Sequence, residues 1–351
     1  MAFALSAPLA QTTPRLAAAD LVAAAREEVE RRAQRDAFSG AVLIAKGERP
    51  VMSAAYGLAD RERQVANTVN TRFRLGSMNK MFTAVAILSL VEAGKVALDD
   101  PLGRHLPDYP EPEVRSKVTV RHLLMHTGGT GDIFSPQFFE KRLSLRTHGD
   151  YLELYGTRPL LFEPGAEWRY SNYGYVLLGA IIERVSGRGY YEYVRDRVYA
   201  RAGMSSTGSE PEDTPVQERS VGYTKRGSGQ TWVSNVNTLP YRGMAAGGGY
   251  STTTDLLRFA NALTSNRLLK AEHTASLMAA AVPAAGGSYG LGFMGRDFNG
   301  VRAFGHGGGA PGMNGELLIF PSGYVVVVLA NMDPPAATEV ARFIAARLPV
   351  K

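Results

Sequence analysis

The last third of the chain limits the possible folds most. Four short strand-like runs follow one another there with only turn residues between them: YGLGFMG (289–295), VRAFGHGG (301–308), GELLIFP (315–321) and YVVVVLAN (324–331). Each is rich in β-branched or aromatic residues and bounded by Gly, Pro, Asn or Asp, which is the signature of strands separated by turns. Connections this short join antiparallel neighbours, because a parallel pair needs a crossover of about a dozen residues or more. A doubly wound parallel sheet is therefore disfavoured. The other strand signal lies at the opposite end of the chain. SGAVLIAKGERPVMSAAYGLAD (39–60) reads as two strands around a KGERP turn.

Helical patterns fill the space between. Residues 15–37 read as an amphipathic helix, and an apolar helix runs from Ser77 to near Gly94. VTVRHLLMHTGG (118–129) is a short helix stopped by glycines, and YGYVLLGAIIERVSG (173–187) is a strong amphipathic helix with a glycine stop. YYEYVRDRVYARAGM (190–204), STTTDLLRFANAL (251–263, with Thr and Asp as caps) and ATEVARFIAARL (337–348) complete the set. Residues 130–172 read as irregular and 205–243 as loop. The expected class is α+β: one antiparallel sheet built from both chain ends (15–75 and 244–351) and flanked by helices. A mostly helical inserted domain (76–243) would leave the active site in the cleft between the two.

Composition narrows the function classes. Apolar residues make up 45% of the chain, enough for a sizeable core, and no run of about 18 apolar residues predicts a membrane span. The net charge is +6, but the arginines are scattered, and the densest cluster, RRAQR (31–35), follows REEVE on one helix. That is a solvated face and not the basic stripe with aromatic platforms that nucleic acid requires. The absence of cysteine excludes disulfides, thiolate metal sites and a cysteine nucleophile. MAFALSAPLAQTTP, at the start, resembles the tail of a secretory signal peptide without its positive n-region. It leads us to expect a periplasmic or secreted protein, with a cytoplasmic one as the alternative.

RLGSMNKMF (74–82) carries the first chemistry. Ser77 and Lys80 are three apart on the predicted helix and so share a face. A serine hydroxyl becomes a nucleophile only when a base removes its proton, and a lysine amine does so once burial or nearby charge lowers its pKa. A capping serine beside a solvated lysine is the plainer reading. Against it, Lys80 is the only lysine with a serine three positions earlier, and it lies inside an apolar helix.

Two other motif matches lack their context. GGSYG (286–290) fits a nucleophile elbow but has no strand-to-helix setting, and reads as a flexible turn. GGGAPG (307–312) fits a dinucleotide loop but is followed by Pro311 and a strand instead of a helix opening there. His122 and His126 are four apart without the glutamate of a zinc protease, so no metal is expected, and His126 reads as a hydrogen-bonding residue of its turn. In YSNYGY (170–175) Ser171 or Asn172 caps the following helix. Tyr170 stands at its entrance, where a phenol near ammonium groups acts as a base if its pKa falls. FGHGGGAPG (304–312) ends a strand in glycines, where substrate or backbone approaches closely.

In order along the chain, Ser-x-x-Lys, Tyr-Ser-Asn and the His-Gly-Gly strand resemble the serine β-lactamase and penicillin-binding-protein superfamily. The likeness is to its class C β-lactamase-related group, which includes D-alanyl-D-alanine carboxypeptidases, D-aminopeptidases and family VIII carboxylesterases. LLMHTGG (123–129), GGGYSTTTDLLRF (247–259) and ELLIFPSGYVVVVLAN (316–331) add to it. The resemblance implies that Ser77 is acylated, that Lys80 and Tyr170 form the base, and that Tyr170 protonates the leaving group. It further implies that Asn172 orients Lys80, that His306, Gly307 and Gly308 edge the substrate site, and that the N–H groups of Ser77 and Gly309 form the oxyanion hole.

His306 stands where class C β-lactamases usually have lysine, so a permanent cation for a β-lactam carboxylate is missing. The resemblance therefore implies a serine hydrolase for a small ester or peptide-like substrate, without cofactor. A carboxylesterase is the first expectation, on the bare glycine wall. A D-stereospecific peptidase is its close rival, on His306. A weak β-lactamase, an acyltransferase and a non-catalytic binding protein are the remaining alternatives. Nothing in the chain sets an oligomeric state.

Overall fold

The structure is a computed structural model that describes residues 13–225, 231–279 and 282–349. Its centre is one antiparallel sheet of eight strands. In chain order these are β1 (Gly40–Lys46), β2 (Arg49–Tyr56), β3 (Val282–Ala284), β4 (Gly287–Tyr289), β5 (Met294–Phe298), β6 (Val301–Ala310), β7 (Met313–Ile319) and β8 (Tyr324–Ala330). Across the sheet they lie in the order β2-β1-β8-β7-β6-β5-β4-β3. The two chain ends meet inside the sheet, where β1 pairs β8 from Gly40↔Ala330 to Lys46↔Tyr324.

The run YVVVVLAN is apolar throughout because both faces of β8 are covered. Val325, Val327 and Leu329 join one buried cluster, and Val326, Val328 and Ala330 join the other. β1 splits the same way, with Ala41, Leu43 and Ala45 on the first face and Val42 and Ile44 on the second, as the two-residue period of a strand requires.

Five helices position the site: α1 (Ala18–Gln34), α2 (Lys80–Glu92), α3 (Asn172–Ser186), α4 (Thr253–Thr264) and α5 (Ala336–Ala345). The terminal helices α1 and α5 cover the second face, tied by an Arg32–Glu339 ion pair at 2.5 Å. On the first face α2 and α4 pack against the sheet side of the larger cluster, which continues into α3. Every α2 residue from Lys80 to Leu88 is buried, which makes it a core helix apolar on all sides.

The structure departs from the sequence reading in several segments. The single strand expected over 289–295 is two strands, β4 and β5, separated by the bend at 290–293, where Gly292 has φ +83°. Residues 286–290 are not a flexible turn: Gly287–Tyr289 is β4 and pairs with β3 and β5. A nucleophile elbow is absent there, because strands lie on both sides. Residues 130–172 contain helices Pro136–Lys141 and His148–Tyr155. Their start signals stand in the sequence: Ser135 before Pro136, and Thr147 with Asp150 as a capping box. The 190–204 helix carries a π-turn at Arg195–Tyr199. The 205–243 loop holds a small strand pair, Tyr223–Lys225 with Trp232–Ser234. Of the leader-like segment, residues 1–12 lie outside the described residues. Among the described residues no helix is long and apolar enough to cross a membrane.

Candidate active site

Ser77 lies in a 3-10 turn, Gly76–Asn79, that runs directly into α2. Gly76 has φ +53°, a left-handed conformation that favours glycine. The turn places Ser77 at the mouth of the helix and Lys80 at its first residue, with Lys80 fully buried. Lys80 Nζ is 3.3 Å from Ser77 Oγ and 2.8 Å from Asn172 Oδ1, and it also donates to the Ala246 carbonyl. Burial pulls its pKa down from the usual lysine value to about 7, while the Asp132 charge opposes the fall.

The partner carbonyl was not legible in the sequence. Three successive carbonyls of segment 244–246 are each held by a side chain from the Ser77 turn and α2. Asn79 Nδ2 donates to Met244 O at 2.5 Å, Thr83 Oγ1 to Ala245 O at 2.8 Å, and Lys80 to Ala246 O. Tyr190 bonds both Asn79 and Thr83 from behind.

The second group comes from the entrance of α3. Ser171 caps that helix, accepting from Gly174 N at 2.9 Å, which leaves Asn172 free to face Lys80. Asn172 Nδ2 also donates to both Asp132 oxygens, at 3.0 and 3.2 Å. The Tyr170 ring packs 4.7 Å from Lys80 Nζ. Its phenol departs from the expectation of a lowered pKa. Burial pushes it well above the usual value, and the hydrogen bond with Ser77 offsets only part of that. The nearby Asp132 charge also favours the neutral form, so Tyr170 remains a phenol at neutral pH.

His126 holds this group in place. Its Nδ1 accepts from Ser171 N at 3.1 Å, its carbonyl accepts from Arg169 N, and its ring packs 4.2 Å from that of Tyr170. The structural role expected for it therefore extends beyond its own turn, to the backbone on both sides of Tyr170.

The third wall is β6. His306 is buried, with Nε2 2.9 Å from the Tyr289 hydroxyl and Nδ1 2.5 Å from Gly307 O. A carbonyl only accepts, so Nδ1 carries the proton and Nε2 accepts from the phenol. Burial and the nearby Lys80 lower its pKa to about 3. His306 is thus neutral, with both nitrogens occupied.

The glycines have packing reasons. A Cβ at Gly308 would come within 1.9 Å of Leu75 O, in the Ser77 turn, and one at Gly307 would meet Glu316 Oε1 at 2.8 Å. Gly307 therefore turns to the opposite face from Gly308. A Cβ at Gly76 would stand 3.1 Å from Gly309 N, so the two expected oxyanion-hole segments are in direct contact. Gly308→Ala is expected to lower both Tm and kcat/KM, at a cost of about 1–3 kcal/mol from overpacking. Thermal unfolding and steady-state kinetics on one preparation check it.

Ser77, Lys80, Tyr170 and Asn172 are thus brought together, with Gly309 against the serine turn and His306 one layer behind. The sequence reading missed Asp132, the Ala246 carbonyl and Tyr289. Of these only Tyr289 stood within a motif, the misleading GGSYG. Among the described residues no three His, Asp or Glu side chains group as metal ligands.

The sequence profile of the β-lactamase family matches residues 24–351. Penicillin-binding protein 4* of Bacillus subtilis (strain 168) is 32% identical over 240 residues, 64% of this chain and 52% of that protein. The chain therefore spans about half the length of that curated relative. Among solved structures, a penicillin-binding protein from Bacillus halodurans superposes with TM-score 0.82 at 35% identity, over 90% of this chain and 98% of the other. A D-stereospecific amidohydrolase from Streptomyces sp. superposes with TM-score 0.78 at 28% identity, over 92% and 98%. With this fold and these matches, the chain belongs to the β-lactamase family, within the serine β-lactamase and penicillin-binding-protein superfamily.

Proposed function

We propose that the protein hydrolyses small D-configured amides and peptides through an acyl-enzyme on Ser77. The observation that carries this reading is the environment of Lys80 Nζ. A neutral amine has two protons and one lone pair. The fixed acceptors Asn172 Oδ1 and Ala246 O take the two protons, so the lone pair faces Ser77 Oγ. As Ser77 Oγ bonds to the substrate carbonyl carbon, its proton passes to Lys80 and the carbonyl π electrons move to oxygen. The N–H groups of Ser77 and Gly309 receive that oxyanion, as fixed donors aimed at developing charge do. Collapse breaks the bond to the leaving group, which takes a proton from the Tyr170 phenol, and Lys80 returns one to Tyr170. Water then repeats the sequence on the acyl-enzyme and releases the acid.

The amide and D preferences draw support from the D-stereospecific amidohydrolase likeness. The glycines of β6 carry no preference for esters, since packing accounts for Gly307 and Gly308. A carboxylesterase remains the second reading, favoured by the same acyl-enzyme geometry, because an ester is the easier leaving group. Measuring kcat/KM for D- and L-alanine p-nitroanilide and for p-nitrophenyl butyrate separates them. Preference for the D-amide over the L-amide supports the amidohydrolase. Ester turnover without turnover of either amide makes it an esterase.

The pH profile provides a separate check. Because the Lys80 pKa is lowered to about 7, its basic form grows as pH rises to that value. We expect kcat/KM to climb about tenfold per pH unit below pH 7 and to level off above it. Tyr170, held above its usual value, gives no falling limb in the neutral range. An acid limb near pH 4 would assign the base to a carboxylate instead.

A further inference from the structure

We propose that Tyr190 is a positioning residue for the Lys80 base, acting through Asn79 and Thr83 on the turn that supplies the Ala246 carbonyl. The inference rests on the reading that Lys80 takes the Ser77 proton. It comes from following each proton in the hydrogen bonds behind the site. Asn79 Nδ2 has two protons and donates to Met244 O at 2.5 Å and to the Tyr190 hydroxyl at 3.3 Å. An amide nitrogen does not accept, so Tyr190 Oη is the acceptor there. Among the described residues, Thr83 Oγ1 is then the acceptor within reach of the Tyr190 proton, at 2.8 Å. Thr83 has one proton of its own, with Ala245 O at 2.8 Å and Asn79 O, one helical turn back, at 3.5 Å. The series therefore runs one way, from Asn79 through Tyr190 and Thr83 to the Ala245 carbonyl. The opposite direction would strand the phenol proton and that carbonyl together in a buried place.

The turn depends on this direction. Met244 and Gly247 close it with two backbone bonds, at 2.7 and 3.0 Å, and Gly248 N donates to Gly76 O at 3.0 Å, which ties it to the Ser77 turn. Ala245 and Ala246 form the tip. Thr83 holds the first of their carbonyls and Lys80 the second. Without the Tyr190 hydroxyl, Thr83 can turn its proton to Asn79 O, as a helical threonine does to the carbonyl four residues earlier. The Ala245 carbonyl then loses its donor and the tip is free to rotate. The Ala246 carbonyl no longer fixes one proton of Lys80, and the lone pair is no longer aimed at Ser77.

Tyr190 is itself firmly seated. It is buried, and burial raises its pKa, so it keeps the proton it must donate. Its backbone N–H donates to Glu183 Oε1 at 3.2 Å, and its ring stands edge-on to that of His148, 5.1 Å between centres. His148 Nδ1 lies 3.1 Å from the same carboxylate oxygen. A Cβ at Gly179 would come within 2.2 Å of His148 Nε2 and 2.8 Å of the Ala245 methyl. Helix α3 thus closes at one glycine against both the ring behind Tyr190 and the turn that Tyr190 steadies.

The experiment follows labelling of Ser77 by a fluorophosphonate, reading the rate constant and the final labelled fraction separately. The samples are the wild type, Tyr190→Phe, Thr83→Val, Thr83→Ser and the Tyr190→Phe/Thr83→Val double variant. Tyr190→Phe and Thr83→Val are each expected to slow labelling roughly ten- to a hundredfold while it still runs to completion, because the base is present but misplaced. Thr83→Ser keeps the hydroxyl and is expected to label at close to the wild-type rate. The double variant is expected to be no slower than the slower single one, since both act on one carbonyl. A wild-type rate in Tyr190→Phe overturns the proposal. If only the labelled fraction falls there, Tyr190 supports the fold and nothing more. Losses that multiply in the double variant overturn it as well. Should Tyr190→Phe not fold, Thr83→Val decides: a wild-type rate overturns the proposal, and a slow rate restored in Thr83→Ser upholds it. Lys80→Ala with the same probe separates this failure from that of the underlying reading. Undiminished labelling in Lys80→Ala rejects the base itself, whereas slow labelling there beside a wild-type rate in Tyr190→Phe rejects Tyr190 alone.

Discussion

Ser77→Ala is expected to lower kcat by roughly 10⁴–10⁶ while leaving the fold intact, the range found when a serine nucleophile is removed. The side chain is partly exposed at the end of a turn that no side chain caps. Its removal creates no sizeable cavity, and although the Tyr170 phenol loses its Ser77 partner, Tm should fall by only a few degrees. Lys80 keeps both of its fixed acceptors in the variant. Covalent labelling by a fluorophosphonate, read as a mass increase on the peptide containing residue 77, should disappear. Undiminished turnover in this variant would remove Ser77 from the mechanism.

The second large effect is the coupling between Lys80 and Tyr170. Lys80→Ala should cost roughly 10³–10⁴ in kcat and Tyr170→Phe roughly 10²–10³, but the double variant should be little worse than Lys80→Ala alone. The reason is geometric: Nζ lies 4.7 Å from the centre of the Tyr170 ring, and both side chains reach the same Ser77 hydroxyl. Each serves only a proton that the other receives or returns. Multiplicative losses in the double variant would mean two independent routes for the proton. Lys80→Arg is a useful companion, since a guanidinium keeps its charge at any working pH and cannot serve as the base.

What could be read in advance was whatever depends on local pattern. The last three strands of the tail, β6 to β8, the apolar α2 and the Thr252 cap of α4 each follow from periodicity or a capping residue within a few positions. Ser77 and Lys80 were legible for the same reason, since one helical turn fixes their relation. Failures came where a distant segment decides. Tyr170 was expected to titrate low beside an ammonium, but only the packed cleft reveals how much water it loses. His306 looked like a substrate contact until Tyr289 and Gly307 were seen to occupy both its nitrogens. The glycines after it looked like a bare wall, although Gly308 is required by the carbonyl of Leu75, which approaches from the other end of the chain. Asp132 carried no signal at all, because a lone aspartate in a loop acquires meaning only from the amide it touches.

The pairing of Gly40 with Ala330 fixes when hydrolytic power arrives as the chain folds. A nascent chain has made Ser77 and Lys80 long before Ala246, which lies 166 residues beyond Lys80. Without that carbonyl and the burial around α2, Lys80 is an ordinary solvated ammonium with no lone pair to offer. Contacts so distant in sequence form late and slowly. Catalysis should therefore return only with the slowest refolding phase, and partly folded molecules should be silent towards acyl donors.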